Sequence, residues 1–324
     1  MTESPAMEWQ LPPSLKPDDE VAVIVPSSAV RDRAALARGM ARLRAWGLCP
    51  SIVCEGEPDR GLTWPEGSEL AADDDARRRA LHAALGEPRY RGVFCARGGY
   101  GAPRLLADVD WSLLAADPKP LVGYSDVTAL LCGAAVGAGV ASLHGPMVAT
   151  TDEMDAGEAC WEQQRRLLFG EPSGPLPAAD DARAVRCGVA EGPLIGGNLA
   201  VLQGLVGTPW LPPLDGALLF LEDIGEAPYR VDRMLTHLQL AGALDRVAGV
   251  VLGDFHVAGT ALASAYDPMV RVLEERLATL AVPVARAFPF GHRPGSWTLP
   301  FGARARLEVR AAGATLTLLE SGAR

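Results

Sequence analysis

The chain has 324 residues, 48% of them hydrophobic and 22% charged, with a formal net charge of −10. That length suits two domains of ordinary size, and that composition excludes a disordered chain. The acidic balance argues against nucleic acid or an anionic membrane surface as the main partner and leaves a small bound anion open.

Residues 1–16 contain no basic segment followed by an apolar core, so no signal peptide is expected. No apolar run approaches the length of a membrane span. Glu20 to Pro26 is a near-continuous apolar strand of the kind found in parallel sheets covered on both faces. Ser27-Ser28 follow, and Arg31 to Trp46 then has apolar residues at helical spacing. Ser51 to Cys54 reads as a second strand. Glu66 to Leu85 reads as a solvated helix, with Asp73-Asp74-Asp75 ahead of Arg77-Arg78-Arg79 in the sense that the helix dipole favours.

A third strand, Gly92 to Ala96, runs into Arg97-Gly98-Gly99-Tyr100-Gly101. Such a loop can cradle a phosphate on its N–H groups, or give the close backbone approach of an oxyanion hole. It matches neither the dinucleotide fingerprint nor the Walker pattern, so a nucleotide is the weaker choice. A plain tight turn is the structural alternative.

Pro120 to Gly123 is a fourth strand, followed by Tyr124-Ser125-Asp126 and an apolar helix. Ser125 therefore projects from the carboxyl end of a strand, against a helix amino end that favours negative charge. That is the layout of a nucleophile elbow, although Gly-Tyr-Ser-Asp departs from Gly-x-Ser-x-Gly. Taken alone, the stretch favours a plain Ser/Asp helix cap. Ala129 to Leu143 fits a buried helix, and Ala141 to Met147 a fifth strand. The alternation of strand and helix implies a doubly wound, flavodoxin- or Rossmann-like parallel sheet.

Met154 to Phe169 reads as a helix and ends an amino-terminal α/β domain at residue 169. Residues 170–183, rich in Gly, Pro, Asp and Ala, read as a linker. Residues 184–324 read as a smaller, β-rich α+β domain. In it, Ile195-Gly-Gly-Asn198 leads into a short helix, and an apolar strand closes on Glu222-Asp223. Pro228 to Leu240 is an amphipathic helix, and a strand ends at Gly291-His292. The alternating tail Arg304 to Glu320 turns back around Ala311–Gly313 as a hairpin. The cysteines at 49, 54, 95, 132, 160 and 187 lack C-x-x-C spacing and read as reduced thiols in a cytosolic protein.

Ser125, Glu222 and His292 each follow an apolar strand and precede a turn. A serine hydroxyl needs a base to take its proton, and an imidazole backed by a carboxylate supplies one near neutral pH. Spacing does not decide whether these three meet. His144, at a strand end in Leu-His-Gly-Pro, is a rival base. His237 reads as structural, and little marks His256 beyond its following a strand.

Six blocks carry a resemblance. They are Arg97-Gly-Gly-Tyr-Gly, Gly-Tyr-Ser125-Asp, His144-Gly-Pro, Gly196-Gly-Asn198-Leu, Leu221-Glu222-Asp-Ile-Gly-Glu226-Ala-Pro-Tyr-Arg230 and Gly291-His292. In this order they resemble the LD-carboxypeptidases, a serine peptidase family with murein-recycling and microcin-immunity branches. The resemblance spans the chain from Glu20 to the last hairpin. It implies a Ser125–His292–Glu222 triad and an oxyanion hole from the backbone N–H groups of Gly99 and Asp126. The implied reaction releases the terminal D-alanine of a murein tetrapeptide at an L,D bond, in the cytoplasm, during cell-wall recycling. It also implies a homodimer with no metal and no cofactor. The block around Glu222 looks like the murein branch. Hydrolysis of an aminoacyl-nucleotide antibiotic is the second reading, and a non-catalytic peptide- or sugar-binding module a third. A carboxypeptidase must hold a free carboxylate, for which arginine is the bidentate partner; Arg97, Arg104, Arg230 and Arg293 are the candidates.

Overall fold

The computed structural model describes residues 9–54, 69–171, 175–176, 182–256 and 267–324. Most of the 170–183 segment and the first eight residues lie outside that set, as does the side chain of His256.

The apolar run Glu20–Ile24 forms β1, buried from Val21 onward. Around it lie β2 (Cys49–Ile52), β3 (Tyr90–Cys95), β4 (Leu121–Gly123) and β5 (Ser142–His144), all parallel, in the order β2-β1-β3-β4-β5. That is the flavodoxin-like order, in which the direction of winding reverses between β1 and β3. Ligands of such sheets bind beyond the carboxyl ends of the strands at that reversal. Ser27-Ser28, the Arg97–Gly101 loop and Ser125 all emerge at this end.

Local chemistry sets the helix boundaries. Arg33–Ala45 is a helix capped by the Asp32 carboxylate, which accepts from the Ala35 N–H at 2.8 Å. The acidic-then-basic helix begins at Asp74 and ends at Gly86, later than its pattern suggests, because Asp73 caps it by accepting from Ala76 N–H at 2.7 Å. The apolar stretch 129–143 is not one helix. It is an α-helix over Thr128–Gly133, a π-helical turn over Ala134–Ala138 and then β5. The glycines at 133 and 137 lie against Trp111, which would collide with any Cβ there.

The second sheet has eight strands: β6 (Pro175–Leu176), β7 (Arg183–Arg186), β8 (Gly188–Asn198), β9 (Leu218–Ile224), β10 (Gly249–His256), β11 (Val284–Arg286), and the hairpin strands introduced here as β13 (Arg304–Arg310) and β14 (Gly313–Leu318), which follow β12 (Leu299–Phe301) in the chain. Its order is β6-β14-β13-β8-β9-β10-β11-β7. The centre, β8 to β11, is parallel, with helices Pro228–Leu240 and Pro268–Leu277 in its crossovers; the flanks are antiparallel.

β12 belongs to neither neighbour in sequence. It crosses back and pairs antiparallel with β5, Leu299 opposite His144, closing the edge of the first sheet. One continuous apolar cluster runs through both sheets. At the junction Phe220 meets Phe290 and Phe301 edge to face, with centroids 5.9 and 6.1 Å apart. Packing of this kind favours the T-shaped geometry seen. Among the described residues no helix is long and apolar enough to cross a membrane, and all six cysteines are free.

Candidate active site

Ser125 leaves β4 through a turn so tight that its own φ is +63°. A non-glycine residue there is strained, as at the sharp strand-to-helix turn of a nucleophile elbow. Glycines on both sides make room: a Cβ on Gly123 would sit 2.7 Å from Val127, and one on Gly98 would sit 3.0 Å from the Ser125 Cβ. The hydroxyl stands at the amino end of the helical turn that runs on into Thr128–Gly133.

From the second sheet, Glu222 lies on β9 and His292 in the loop after β11. His292 Nε2 is 3.0 Å from Ser125 Oγ, and Nδ1 is 2.6 Å from Glu222 Oε2. The Glu222 side chain is fully buried and that of His292 is 11% exposed, so imidazole and carboxylate interact away from bulk water. Gly291 permits the approach. Its φ is +102°, and a Cβ there would lie 2.8 Å from the Glu222 Cβ. Gly291→Ala is expected to lower kcat/KM by about 100-fold through misplacement of the imidazole, with an unchanged circular dichroism spectrum. Wild-type turnover in that variant would show the loop to be more tolerant than its geometry.

Electrostatics follow from this packing. Burial on its own would lower the His292 pKa, but the charge and hydrogen bond of Glu222, with Asp223 and Asp254 behind, hold it above the ordinary histidine value. Burial would likewise raise Glu222, yet His292, His144 and the Asn198 amide keep its carboxyl below the usual range. Glu222 therefore stays ionised where His292 titrates.

The glycine loop is built in from both sides. Ser28 donates its N–H to Gly98 O at 3.1 Å, and its hydroxyl accepts the Tyr100 N–H at 3.1 Å. Gly99, at φ +105°, passes so close that a Cβ would sit 2.4 Å from Ser28 Oγ. The Asp126 carboxylate accepts the Ala102 N–H at 2.7 Å, tying this loop to the serine turn. Buried Arg77 donates to Gly101 O at 3.0 Å and also to Pro26 O. The Asp126 N–H belongs to the first turn after the strand, where helix donors lack a preceding carbonyl.

The remaining sequence motifs brace the two sheets. Asn198 donates its backbone N–H to Thr128 Oγ1 at 3.0 Å, next to the serine turn. Its side chain donates to Asp223 Oδ1 at 3.1 Å and caps the following helix by accepting the Val201 N–H at 3.2 Å. Burial and the Glu222 charge push Asp223 up to about 6. Ser28, Arg77, Tyr124, Asn198 and Asp223 thus take part in shaping the site; Tyr124, Asn198 and Asp223 lie inside the six motif blocks but had no role assigned there, and Ser28 and Arg77 lie outside them.

A cleft of about 520 Å³ opens over Ser125 and His292, lined also by Arg31, Arg97, Gly99 and Tyr124. Arg97 is half-buried there and donates to Ala29 O at 2.6 Å. Arg104, Arg230 and Arg293 do not line it. Arg104 is paired with Asp74 at 2.7 Å, Arg230 with Glu226 at 3.5 Å, and Arg293 donates to Pro294 O at 3.4 Å. His144 is buried behind Glu222, 4.0 Å from its Oε1, and does not reach Ser125. His237 sits on its helix with Nδ1 against Gln203. Among the described residues no group of three or more His, Cys, Asp or Glu side chains is arranged to hold a metal.

A hydroxyl at a strained strand-to-helix turn, an imidazole on it and a buried carboxylate behind form the geometry of a serine hydrolase. Residues 21–145 match the LD-carboxypeptidase N-terminal domain and residues 191–307 the LD-carboxypeptidase C-terminal domain. The chain belongs to the LD-carboxypeptidase family and is a serine-type carboxypeptidase. A putative carboxypeptidase of Streptomyces coelicolor is 40% identical over 95% of this chain and 95% of its own. The crystal structure of muramoyltetrapeptide carboxypeptidase from Oxalobacter formigenes matches with a TM-score of 0.77 at 31% identity, over 92% of this chain and 98% of that one. The microcin C7 self-immunity protein MccF matches with a TM-score of 0.84 at 23% identity, over 97% of this chain and 100% of that one, a likeness of fold.

Proposed function

We propose that this chain releases the terminal D-alanine of a murein tetrapeptide by cutting the L,D bond through an acyl-enzyme on Ser125. The observation that carries the reading is the unbroken contact from Ser125 Oγ to His292 Nε2 and from His292 Nδ1 to Glu222. The name of the Oxalobacter relative supports the substrate.

In this reading His292 takes the Ser125 proton as the hydroxyl oxygen attacks the carbonyl of the residue before D-alanine. Glu222 fixes the Nδ1–H tautomer and stabilises the imidazolium that forms. The backbone N–H groups of Gly99 and Asp126 receive the negative charge on the carbonyl oxygen. His292 then gives its proton to the departing amine, and D-alanine leaves. Water, deprotonated by the same imidazole, attacks the ester and frees Ser125. The reading sets the reaction in cytoplasmic cell-wall recycling, by a homodimer.

Arg97 is the arginine of the four that faces the cleft, and in this reading it pairs with the substrate carboxylate. Arg97→Lys keeps the charge and loses the planar fork, so KM is expected to rise about tenfold with little change in kcat. Unchanged kinetics would remove Arg97 from recognition.

The experiment that tests the reading compares three substrates: murein tetrapeptide, the tripeptide left after cleavage, and an aminoacyl-sulfamoyl nucleoside. Release of D-alanine from the first, with the nucleoside untouched, is the expected result. Cleavage of the nucleoside alone would move the chain to the microcin-immunity reading, and binding without turnover of any would make it a binding module.

A further inference from the structure

One buried imidazole beside the triad, that of His144, has no part in the mechanism above. His144 ends β5 with its ring 1% exposed, enclosed by Phe220 at 5.1 Å, Phe290 at 6.4 Å and Tyr124 at 5.9 Å between centroids. Neither of its nitrogens has a hydrogen-bond partner among the described residues, and the one orphaned atom of Glu222 is Oε1, the oxygen that faces it. Three buried polar atoms without a protein partner in one enclosed pocket are unusual, since buried polar groups are normally hydrogen-bonded. The nearest two, His144 Nε2 and Glu222 Oε1, are 4.0 Å apart. That is about 1 Å beyond a hydrogen bond. Asn198, whose amide also approaches this carboxylate, is committed to Asp223 at 3.1 Å.

We propose that His144 is a positioning residue of the catalytic site: as the neutral Nε2–H tautomer it donates to Glu222 Oε1 and so aims Oε2 at His292. The inference rests on the Ser125–His292–Glu222 reading and deepens it. Burial pushes the His144 imidazole down to about 4, so it stays uncharged through the working range. A neutral donor steadies the carboxylate without cancelling the charge that His292 needs. The competing tautomer would place Nδ1–H toward the residue's own carbonyl and aim the Nε2 lone pair at a carboxylate oxygen, which is repulsive.

A direction follows. The donor's bond to Glu222 is stronger when His292 is neutral than when imidazolium shares the carboxylate's charge. It therefore favours the deprotonated couple, and its loss makes the couple hold its proton more tightly. The other groups that set this balance are Tyr124, which faces Glu222, and Asp223 and Asp254, which face His292.

The test uses the whole chain and a fluorophosphonate probe, whose rate of covalent labelling at Ser125 follows the neutral fraction of His292 whatever the peptide substrate. The rate is measured from about pH 5 to 9, around the range where imidazoles titrate. In His144→Leu the midpoint is expected to rise by about 0.5 to 1 unit, which slows labelling about three- to tenfold below the midpoint. In His144→Gln, whose amide can donate to the same oxygen, the midpoint should stay with the wild type. A wild-type midpoint in His144→Leu, or an equal rise in both variants, overturns the inference while leaving Ser125 in place. Should the variants not fold, the wild type decides by nitrogen NMR of labelled histidines: a neutral ring protonated on Nε2 is expected, and one protonated on Nδ1 overturns the proposal. No labelling of Ser125 in the wild type overturns the nucleophile reading instead, and the NMR result then judges His144 alone.

Discussion

Ser125→Ala is expected to lower kcat by about 10⁵- to 10⁶-fold while substrate still binds. The size follows from what the residue is asked to do. Without the hydroxyl there is no acyl-enzyme, and what remains is the cleft with any oxyanion donors acting on an unassisted water, a contribution of about 10³ to 10⁴ over solution. The cleft walls at Arg31, Arg97 and Tyr124 are untouched by the change, so binding measured by calorimetry should hold. The fold should hold too. Ser125 and alanine meet the same strain at φ +63°, and no N-cap hydrogen bond of the Ser125 side chain is lost, because its partner is His292. A binding module would show the same affinity in both proteins and turnover in neither.

Glu222→Gln is expected to cost about 10⁴-fold in kcat, because an amide in place of the carboxylate no longer enforces the Nδ1–H tautomer or stabilises the imidazolium. The pH profile supplies a second readout. In the wild type the carboxylate holds His292 above its ordinary pKa against the opposing effect of burial. Only neutral His292 accepts a proton, so kcat/KM should rise with pH through that raised value. Glutamine removes the raising influence and leaves the burial, so the acid limb should move to lower pH as the plateau collapses. A variant whose limb stays in place would mean that Glu222 does not govern His292. Steady-state rates between about pH 5 and 9 measure both quantities.

The tight turn at Ser125 and the glycine loop were legible because each is a local event. A short apolar strand, a turn and an apolar helix set the place of Ser125, and loop position after β3 set that of Gly99. The choice between His144 and His292 was not legible in strand position or spacing, and the resemblance alone pointed to His292. Both end or follow strands, and what separates them is three-dimensional: β5 lies inside the sheet with its histidine ring enclosed by phenylalanines, whereas the loop after β11 brings His292 over the serine. The arginines show the same limit. Proximity in sequence to a motif does not tell that Arg104 turns away to Asp74 and Arg230 to Glu226. The return of β12 to the first sheet escaped the pattern because Leu299–Phe301 is three residues long, too short for alternation to register, and its partner lies more than 150 residues earlier. Gly291 and Gly196 carried no role of their own in the sequence; only the fold shows Glu222 and the Phe220 carbonyl in the space a Cβ would need.

The measurement that bears most directly on Ser125 as the nucleophile of a carboxypeptidase is D-alanine release from purified murein tetrapeptide, wild type beside Ser125→Ala. The geometry predicts D-alanine and the matching tripeptide from the wild type and none above background from the variant. Equal release by both proteins would make Ser125 a helix cap and contradict the account.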